Sequence, residues 1–273
     1  MRSLHLPTTL LDEKTLPELT ELEYEIYKRQ IPLPGFGSQG QRQLKGSSVM
    51  ISRVGGVGGT VALELARAGV GRLVLAHEGV IELENLNRML LAFRQDVGRP
   101  RVEAFRDMLA RVNPEVDVLI EADNIHANNA ERLIDQVDLI VDGSPSFEER
   151  YHMNQEAVRQ RKPIIMAAMF GLEMYITTMI PGSTPCLSCL YPTPPPSWEV
   201  TGFPVILPSS ALVATIATME VIKVITGCGE PLINRLFYGD LTSNGFRQLH
   251  IARRRDCPIC GHLVSANEGG AMA

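Results

Sequence analysis

The chain has 273 residues, of which 45% are hydrophobic, and this is enough for one large domain or two small ones with a proper core. Its formal net charge of −5 gives no broad attraction to nucleic acid or to anionic lipid, so we expect neither nucleic acid nor a membrane as a partner. No basic-then-apolar signal pattern opens the sequence, and no uninterrupted apolar run reaches the ~18 residues of a membrane span. We therefore expect a cytoplasmic protein.

Two stretches precede the first predicted strand. Residues 1–24 are polar with scattered leucines and are predicted to form an N-terminal arm. The segment from Tyr27 to Gly37 is too rich in proline and glycine for a helix to continue through it. Residues 25–273 are predicted to form a single domain.

The central part of the chain alternates between predicted strands and helices. Helical spacing connects Val61, Leu65 and Ala68. The other predicted elements here are strands at 49–54, 72–76, 116–121 and 138–142, and helices at 101–111 and 129–136. Such alternation is typical of a mostly parallel sheet covered by helices on both faces. We therefore predict an α/β fold with a Rossmann-like, doubly wound sheet.

The second half of the chain has a different pattern. After a predicted helix at 147–160, alternating runs near 172–180 favour added antiparallel strands over further βαβ units. Residues 190–208 contain six prolines without a helical period, and long loops inside compact domains are usually functional or mobile. A helix at 209–226 and two final strands are predicted before residue 257.

Four of the five cysteines form two CxxC pairs, Cys186 with Cys189 and Cys257 with Cys260. A two-residue spacer lets both sulfurs of a pair point at one ion, so four thiolates predict a closed, structural Zn²⁺ site. Unligated thiols or a redox pair remain the alternatives. The basic run that starts at Arg253 is interpreted as a solvated segment.

The stretch from Ser48 to Thr60 predicts a strand, a glycine loop and the start of a helix. Gly55, Gly56 and Gly58 lie where backbone N–H groups and a helix N-terminus can face an anion. The same glycines could serve only to let strand and helix pack closely. The sequence alone leaves both interpretations open.

Charged and amide side chains follow on predicted loops or at a helix start. Arg29 precedes the first strand, Asn85 and Arg88 follow the second, and Arg101 opens the next helix. Guanidinium groups beside a glycine loop suit polyphosphate, because each stays charged and can grip two oxygens.

In combination these motifs resemble the ThiF/MoeB/HesA family, the bacterial relatives of ubiquitin-activating enzymes. The motifs are the glycine loop, Ala68-Gly-Val-Gly71, Glu82-Leu-Glu-Asn-Leu-Asn-Arg88, Gly98-Arg-Pro-Arg101 and the two cysteine pairs, and the resemblance runs from Tyr27 to Cys260. It implies a homodimer that binds Mg²⁺ and ATP and adenylates the carboxylate of a ubiquitin-like carrier, a peptide or a small acid.

By position, the resemblance assigns roles to several residues. Arg29 resembles the arginine that reaches the ATP phosphates from the neighbouring subunit. Arg88 resembles the arginine beside the α-phosphate, and Asn85 the asparagine of the same motif. The four cysteines match the family's zinc ligands, and residues 190–208 its crossover loop. That loop has no cysteine to accept an activated substrate, and Trp198 occupies the neighbourhood, so we expect no covalent handover.

Four positions depart from the family pattern. Arg53 replaces the first loop glycine, and His77, with Glu78 beside it, replaces the acid that holds the ribose hydroxyls. Arg101 replaces the phosphate-binding lysine, which keeps the charge and changes its geometry.

The fourth departure concerns the metal. Pro145 stands where the family has its Mg²⁺-binding acid, and Glu148 and Glu149 follow it as possible substitutes. Each lost charged contact is expected to cost ~1–3 kcal/mol of nucleotide binding.

Three functions are compatible with these residues. The first is an adenylyltransferase of the ubiquitin-activating type. The second is a relative with a degenerate ATP site that binds a carrier or peptide as a subunit of a partner enzyme. The third, a dinucleotide oxidoreductase, is disfavoured because His77 occupies the usual position of the ribose-binding acid.

Overall fold

The computed structural model describes residues 16–195 and 204–263, so the predicted Trp198 neighbourhood and much of the N-terminal arm lie outside the described residues. The first elements are two helices, α1 (Glu21–Tyr27) and α2 (Gly37–Gly46). A capping box between Thr20 and Glu23 starts α1. The sequence did not predict α2, whose glycines and polar residues conceal a buried face that includes Leu44.

Eight strands form one sheet in the order β3-β2-β1-β4-β5-β6-β7-β8. Strands β1 to β5 are mutually parallel, and β6, β7 and β8 extend the sheet antiparallel to one another and to β5. The strands are β1 (Ser48–Ser52), β2 (Arg72–Ala76), β3 (Asp117–Glu121), β4 (Leu139–Asp142), β5 (Ile164–Phe170), β6 (Glu173–Met179), β7 (Arg235–Asp240) and β8 (Gly245–His250). The predicted α/β sheet with an antiparallel extension is confirmed.

Helices cover both faces of the sheet, as its predicted doubly wound form requires. They are α3 (Gly56–Ala68), α4 (Arg101–Val112), α5 (Ala130–Asp135), α6 (Phe147–Gln160), α7 (Leu187–Leu190) and α8 (Leu207–Thr226), with 3-10 helices at Leu83–Asn87 and Arg94–Asp96. Along β1, Val49 and Ile51 join the core under α3, α4 and α8, whereas Met50 joins the core under α5 and α6. Because successive side chains of a strand point to opposite faces of the sheet, β1 contributes residues to two separate cores.

Helix α8 is the one described helix that is long and apolar enough to cross a membrane by length and composition. It packs against α3, β5 and β6, and 56% of its apolar 18-residue window is buried inside the fold. Its buried Glu220 accepts hydrogen bonds from the Thr178 hydroxyl and the Leu232 N–H, both at 2.6 Å. We interpret α8 as the core helix of the domain.

Candidate functional site

Four cysteine thiols from two distant segments converge. The Sγ–Sγ distances are 4.0 Å for Cys186 to Cys189, 3.7 Å for Cys186 to Cys257 and 3.4 Å for Cys189 to Cys260. All four sulfurs lie within 4.8 Å of one another, and all four residues are buried.

These spacings suit a tetrahedral metal better than a disulfide. Sulfurs at about 2.3 Å from one Zn²⁺ are about 3.8 Å apart, and bonded sulfurs are about 2.05 Å apart. Burial raises the pKa of Cys189 to about 11, whereas hydrogen bonds from Cys186 and other cluster thiols lower the pKa of Cys260 to about 4. Burial thus opposes ionisation of Cys189 in the protein alone, and a divalent cation would favour the thiolate forms. The cluster could hold zinc with no open coordination position.

Arg253 supports the second cysteine pair. Its guanidinium donates to the carbonyl oxygens of Cys260 at 2.5 Å and Gly182 at 3.1 Å, and also to that of Leu263. The interpretation of the basic run as solvated is therefore wrong for Arg253, which ties the cysteine turn to the loop after β6.

A tight turn connects β1 to α3. Arg53 adopts a left-handed conformation with φ of 55°, and Gly55 occupies the N-cap of α3. A Cβ at Gly58 would lie 2.7 Å from the Arg53 carbonyl oxygen, so this glycine lets the helix press against the turn. Helix α3 begins at this turn, so the backbone N–H groups of its first turn, which have no partner within the helix, lie here.

A cavity of about 180 Å³ opens beside this turn, at the carboxyl ends of the central strands. Parallel sheets commonly bind ligands where the strand order reverses, here between β1 and β4. Among the described residues, four arginines line the cavity, Arg53, Arg88, Arg101 and Arg150, together with a single carboxylate, Glu84. The excess of positive charge favours an anionic ligand.

Arg101, at the start of α4, is fixed by neutral partners. One Nη donates to His77 Nε2 at 3.1 Å and to the Glu78 carbonyl at 3.2 Å, and the other donates to Asn85 Oδ1 at 3.2 Å. Burial lowers the pKa of Arg101, but Glu82 at 3.8 Å favours its charge. The guanidinium is thus held at the cavity wall by neutral hydrogen-bond acceptors, with Glu82 as a more distant ion-pair partner.

His77 is buried at the end of β2. Burial, followed by the charges of Arg101 and Arg53, lowers its pKa to about 3. Because neutral Nε2 accepts from Arg101, the proton lies on Nδ1, and the backbone of Val54 is the hydrogen-bonding group beside the ring. His77 therefore contributes no charge at neutral pH.

The lowered pKa of His77 predicts a pH-dependent stability. The unfolded histidine takes a proton below pH ~6.5 and the folded one does not, so stability falls as pH drops from ~6.5 towards 3. His77→Gln keeps an acceptor for Arg101 and cannot titrate. Between pH 7.5 and 5.5 in urea unfolding, we expect wild type to lose about 1 kcal/mol more than His77→Gln. Equal losses in the two proteins would contradict this account.

Arg53 forms an ion pair across the cavity floor with Glu149 in the first turn of α6. Its Nε lies 2.9 Å and 3.0 Å from the two carboxylate oxygens, and its Nη2 also donates to Glu149. The Ser144 hydroxyl donates to the same carboxylate at 2.8 Å. Only 7% of the Glu149 side chain is exposed, against 19% for Arg53.

A second ion pair lies beneath the cavity. Arg150 Nη1 is 3.6 Å from Asp142 at the end of β4, and Arg150 Nε donates to the Ser144 carbonyl at 2.7 Å. Burial raises the pKa of Asp142, and Arg150 opposes this rise. The carboxylate of Asp142 is thus committed to Arg150 and to the Ser144 N–H at 3.0 Å.

The structure brings together most of the predicted nucleotide-site residues. Gly55, Gly56, Arg53, His77, Asn85, Arg88 and Arg101 all line the cavity. Gly58 lies behind the turn, and Glu78 is exposed with its N–H bonded to Asn124 Oδ1 at 3.1 Å. Arg29 is exposed after α1 and does not line this cavity.

A second cavity of about 320 Å³ adjoins the first, and the two share Arg150, Ala168 and Met169. Its remaining lining is mostly aromatic and apolar, with Phe147, Met166, Phe170, Tyr175, Tyr191 and Pro195 alongside Glu173. An apolar channel thus meets the arginine-lined cavity.

The residues at and after Pro145 fit a protein-held Mg²⁺ poorly. Magnesium prefers oxygen ligands, usually one or two carboxylates besides substrate phosphates. Pro145 lines the cavity where an acid is expected, and the substitute Glu148 is 85% exposed outside the lining. The other substitute, Glu149, is occupied by Arg53 and Ser144.

Arg150 and Ser210 are among the cavity residues that were missed from the sequence. Arg150 follows Glu149 in the first turn of a predicted helix, a place that gives no signal of an inward cation. Ser210 in α8 lies close to the glycine turn, since a Cβ at Gly56 would be 2.9 Å from its Oγ. Contacts between elements so distant in sequence leave no local motif.

Comparison with known proteins gives a consistent result. The sequence model of the ThiF family matches residues 27–259. "Protein HesA, heterocyst" of Trichormus variabilis is 42% identical over 244 residues, which cover 89% of this chain and 91% of that protein. The sulfur carrier protein adenylyltransferase of Thermus thermophilus is 34% identical over 259 residues, 91% of this chain and 95% of that protein. The crystal structure of E. coli MccB with MccA-N7isoASN is 25% identical with a TM-score of 0.74, over 82% of this chain and 70% of that one.

Proposed function

Because the chain belongs to the ThiF family, as its motifs predicted, we propose that it catalyses the ATP-dependent adenylation of a carboxylate. A carboxylate oxygen attacks the α-phosphorus of ATP, the bond to the β-phosphate oxygen breaks, and pyrophosphate leaves. The products are an acyl adenylate and pyrophosphate.

One observation carries this proposal: four guanidinium groups surround a cavity at the N-terminus of α3. Nucleotidyl transfer depends mainly on positioning and on charge stabilisation of the phosphates. Arg101 is held in place by His77 and Asn85, and Arg88 donates to the Glu84 carbonyl at 2.7 Å. We assign Arg88 and Arg101 to the phosphates that gain charge as pyrophosphate departs.

The adjoining apolar channel supports a substrate with an extended tail. Its lining of Phe147, Tyr175 and Tyr191 suits the apolar part of a polypeptide, and Arg150 at the junction could orient a terminal carboxylate. Relatives are named for a sulfur carrier protein, and MccB is described with MccA. We propose the C-terminal carboxylate of a ubiquitin-like carrier or of a peptide as the substrate, with a small acid as the alternative.

We propose that the active form is a homodimer. Arg29 is exposed outside its own chain's cavity, which suits an arginine that reaches the site of a second subunit. Two exposed stretches carry large apolar side chains suited to burial between copies: Leu22, Tyr24, Ile26 and Leu33 in the first, and Val80, Leu83, Leu90, Phe93 and Val97 in the second.

Zinc is proposed as the structural metal of this enzyme. A reducing cytoplasm would keep the four thiols available for it. Since a four-sulfur site leaves no position for substrate, zinc would hold the turn after β8 to the segment around α7.

Product analysis tests the proposed reaction. ATP labelled in the α-phosphate is incubated with the protein, hydroxylamine as a trap, and either a small carrier ending in Gly-Gly or its C-terminally amidated form. We expect AMP to accumulate only with the free carboxylate. Formation of ADP, or equal AMP with the amidated carrier, would contradict adenylation.

A second candidate function is a carrier- or peptide-binding subunit for a partner enzyme. The observation that favours it is that Pro145 and the Arg53–Glu149 pair stand where a free metal-binding carboxylate is expected. Calorimetry separates the two: no ATP binding at millimolar nucleotide, together with tight binding of a carrier, would replace the enzyme with the binding subunit.

A further inference from the structure

The carboxylate of Glu149 has no capacity left for a metal. A carboxylate offers about four acceptor positions. Glu149 Oε1 accepts from Arg53 Nε and Nη2, and Glu149 Oε2 accepts from Arg53 Nε and the Ser144 hydroxyl. A Mg²⁺ ligand at this place would require the ion pair to break inside a buried site.

Arg53 is held in an unusual backbone conformation at the cavity wall. Its φ of 55° is one that non-glycine residues adopt at a cost of about 1–3 kcal/mol, and such strain persists where other contacts fix it. Here the contacts are the Arg53 N–H to the Ala76 carbonyl at 2.8 Å and the ion pair with Glu149. The conformation places a cation where a glycine loop ordinarily offers only backbone N–H groups.

Part of the Arg53 guanidinium remains available. Nε and Nη2 bond to Glu149, and Nη1 has no hydrogen bond among the described residues. The side chain keeps 19% of its surface exposed and lines the cavity beside Gly55 and Gly56. A planar guanidinium with free N–H groups can grip two phosphate oxygens together.

We propose that Arg53, positioned by Glu149, takes the place of the divalent cation on the phosphates of ATP, so that this chain binds ATP without Mg²⁺. The inference rests on the proposed adenylation function. Glu84, the one carboxylate in the lining, lies on an exposed 3-10 helix and carries no ion pair among the described residues. It is the group that a competing metal site would need.

The first test is calorimetric titration of wild type with ATP, in Mg²⁺ and in EDTA, with retention of the structural zinc in EDTA verified by metal analysis. We expect the two dissociation constants to agree within about threefold. If ATP binds only with Mg²⁺, the inference fails and the proposed adenylation stands. If ATP binds under neither condition, the proposed function itself fails.

The second test uses substitutions that reverse the metal dependence. Arg53→Gly removes the cation, restores a loop glycine and frees the Glu149 carboxylate, so we expect ATP binding at least about tenfold weaker in EDTA and rescued by Mg²⁺. Arg53→Gly combined with Glu149→Gln should bind ATP weakly with or without Mg²⁺. Unchanged binding by Arg53→Gly in EDTA would overturn the assignment.

Matched controls identify the groups responsible. Glu148→Gln changes the neighbouring carboxylate, which is 85% exposed, and should leave ATP binding in EDTA as in wild type. Glu149→Gln should weaken ATP binding in EDTA. Glu84→Gln should leave binding unchanged in Mg²⁺. A loss of Mg²⁺-dependent binding in Glu84→Gln would assign the metal to Glu84 and contradict the role of Arg53. If Arg53→Gly fails to fold, Arg53→Lys replaces it in the same titrations, because this variant keeps the charge and removes the guanidinium.

Discussion

Cys257→Ser is expected to lose zinc and to unfold at a temperature about 10 °C or more below wild type, because structural zinc ligation is coupled to folding. Cys257 belongs to the buried four-sulfur cluster that joins the turn after β8 to the segment around α7. Replacing one thiolate by a hydroxyl weakens the metal site. The three remaining cysteines are then buried without a bound metal. Metal analysis and thermal unfolding of the two proteins measure the effect.

Cys228→Ser provides the control for this prediction. Cys228 is outside the cluster, with its Sγ 3.5 Å from the Pro34 carbonyl oxygen, and is partly exposed. We expect one zinc per chain and an unchanged midpoint in this variant. Two results would contradict a structural role of zinc. One is zinc content well below one equivalent in wild type never treated with chelator, and the other is equal stability of Cys257→Ser and wild type.

Gly58→Ala is expected to destabilise the protein by about 1–3 kcal/mol and to abolish measurable ATP binding, because the added methyl group overpacks the turn. The new Cβ would lie 2.7 Å from the Arg53 carbonyl oxygen and 2.9 Å from Ile51 Cγ2. Neither the backbone oxygen nor the buried strand residue can move without displacing Arg53 from the cavity wall. Urea unfolding and ATP titration report the two effects.

Gly59→Ala is the matched control, one residue further along the same helix. Its Cβ would lie 3.5 Å from the Val54 carbonyl oxygen, an ordinary contact, and alanine favours a helix over glycine by up to about 1 kcal/mol. We expect stability equal to or above wild type and normal ATP binding. If Gly58→Ala behaves like Gly59→Ala, the close packing of the turn is not what shapes the site.

Local patterns were sufficient to predict the sheet and most of the helices. The strand at 72–76 and the helix at 147–160 were predicted at their observed bounds, because apolar periodicity and flanking loops both mark them. Helix α2 was missed because its glycines and glutamines hide a buried face that forms only against other elements, for example where Gln41 donates to the Ala68 carbonyl at 2.9 Å. Its stability comes from these tertiary contacts rather than from helix propensity.

The candidate site was predictable where short motifs fix it and not where distant residues meet. The cysteine spacing predicted a cluster that the structure brings together. Arg53 was recognised as a departure, but its pairing with Glu149 joins positions 96 residues apart and has no sequence signal. The shift of the His77 pKa likewise depends on burial and on Arg101, which three-dimensional packing alone decides.

The most direct test of adenylation is the exchange of labelled pyrophosphate into ATP, because exchange requires reversible attack of a carboxylate on the α-phosphate. The assay uses wild type, Arg88→Ala and Arg94→Ala, where Arg94 is an arginine of the next 3-10 helix outside the cavity lining. With a carrier ending in Gly-Gly, we expect exchange by wild type and Arg94→Ala and a loss of about 10²-fold or more in Arg88→Ala. Exchange that persists in Arg88→Ala would contradict the proposed role of Arg88. Exchange absent from wild type with carriers, peptides and small acids alike would contradict the proposed function.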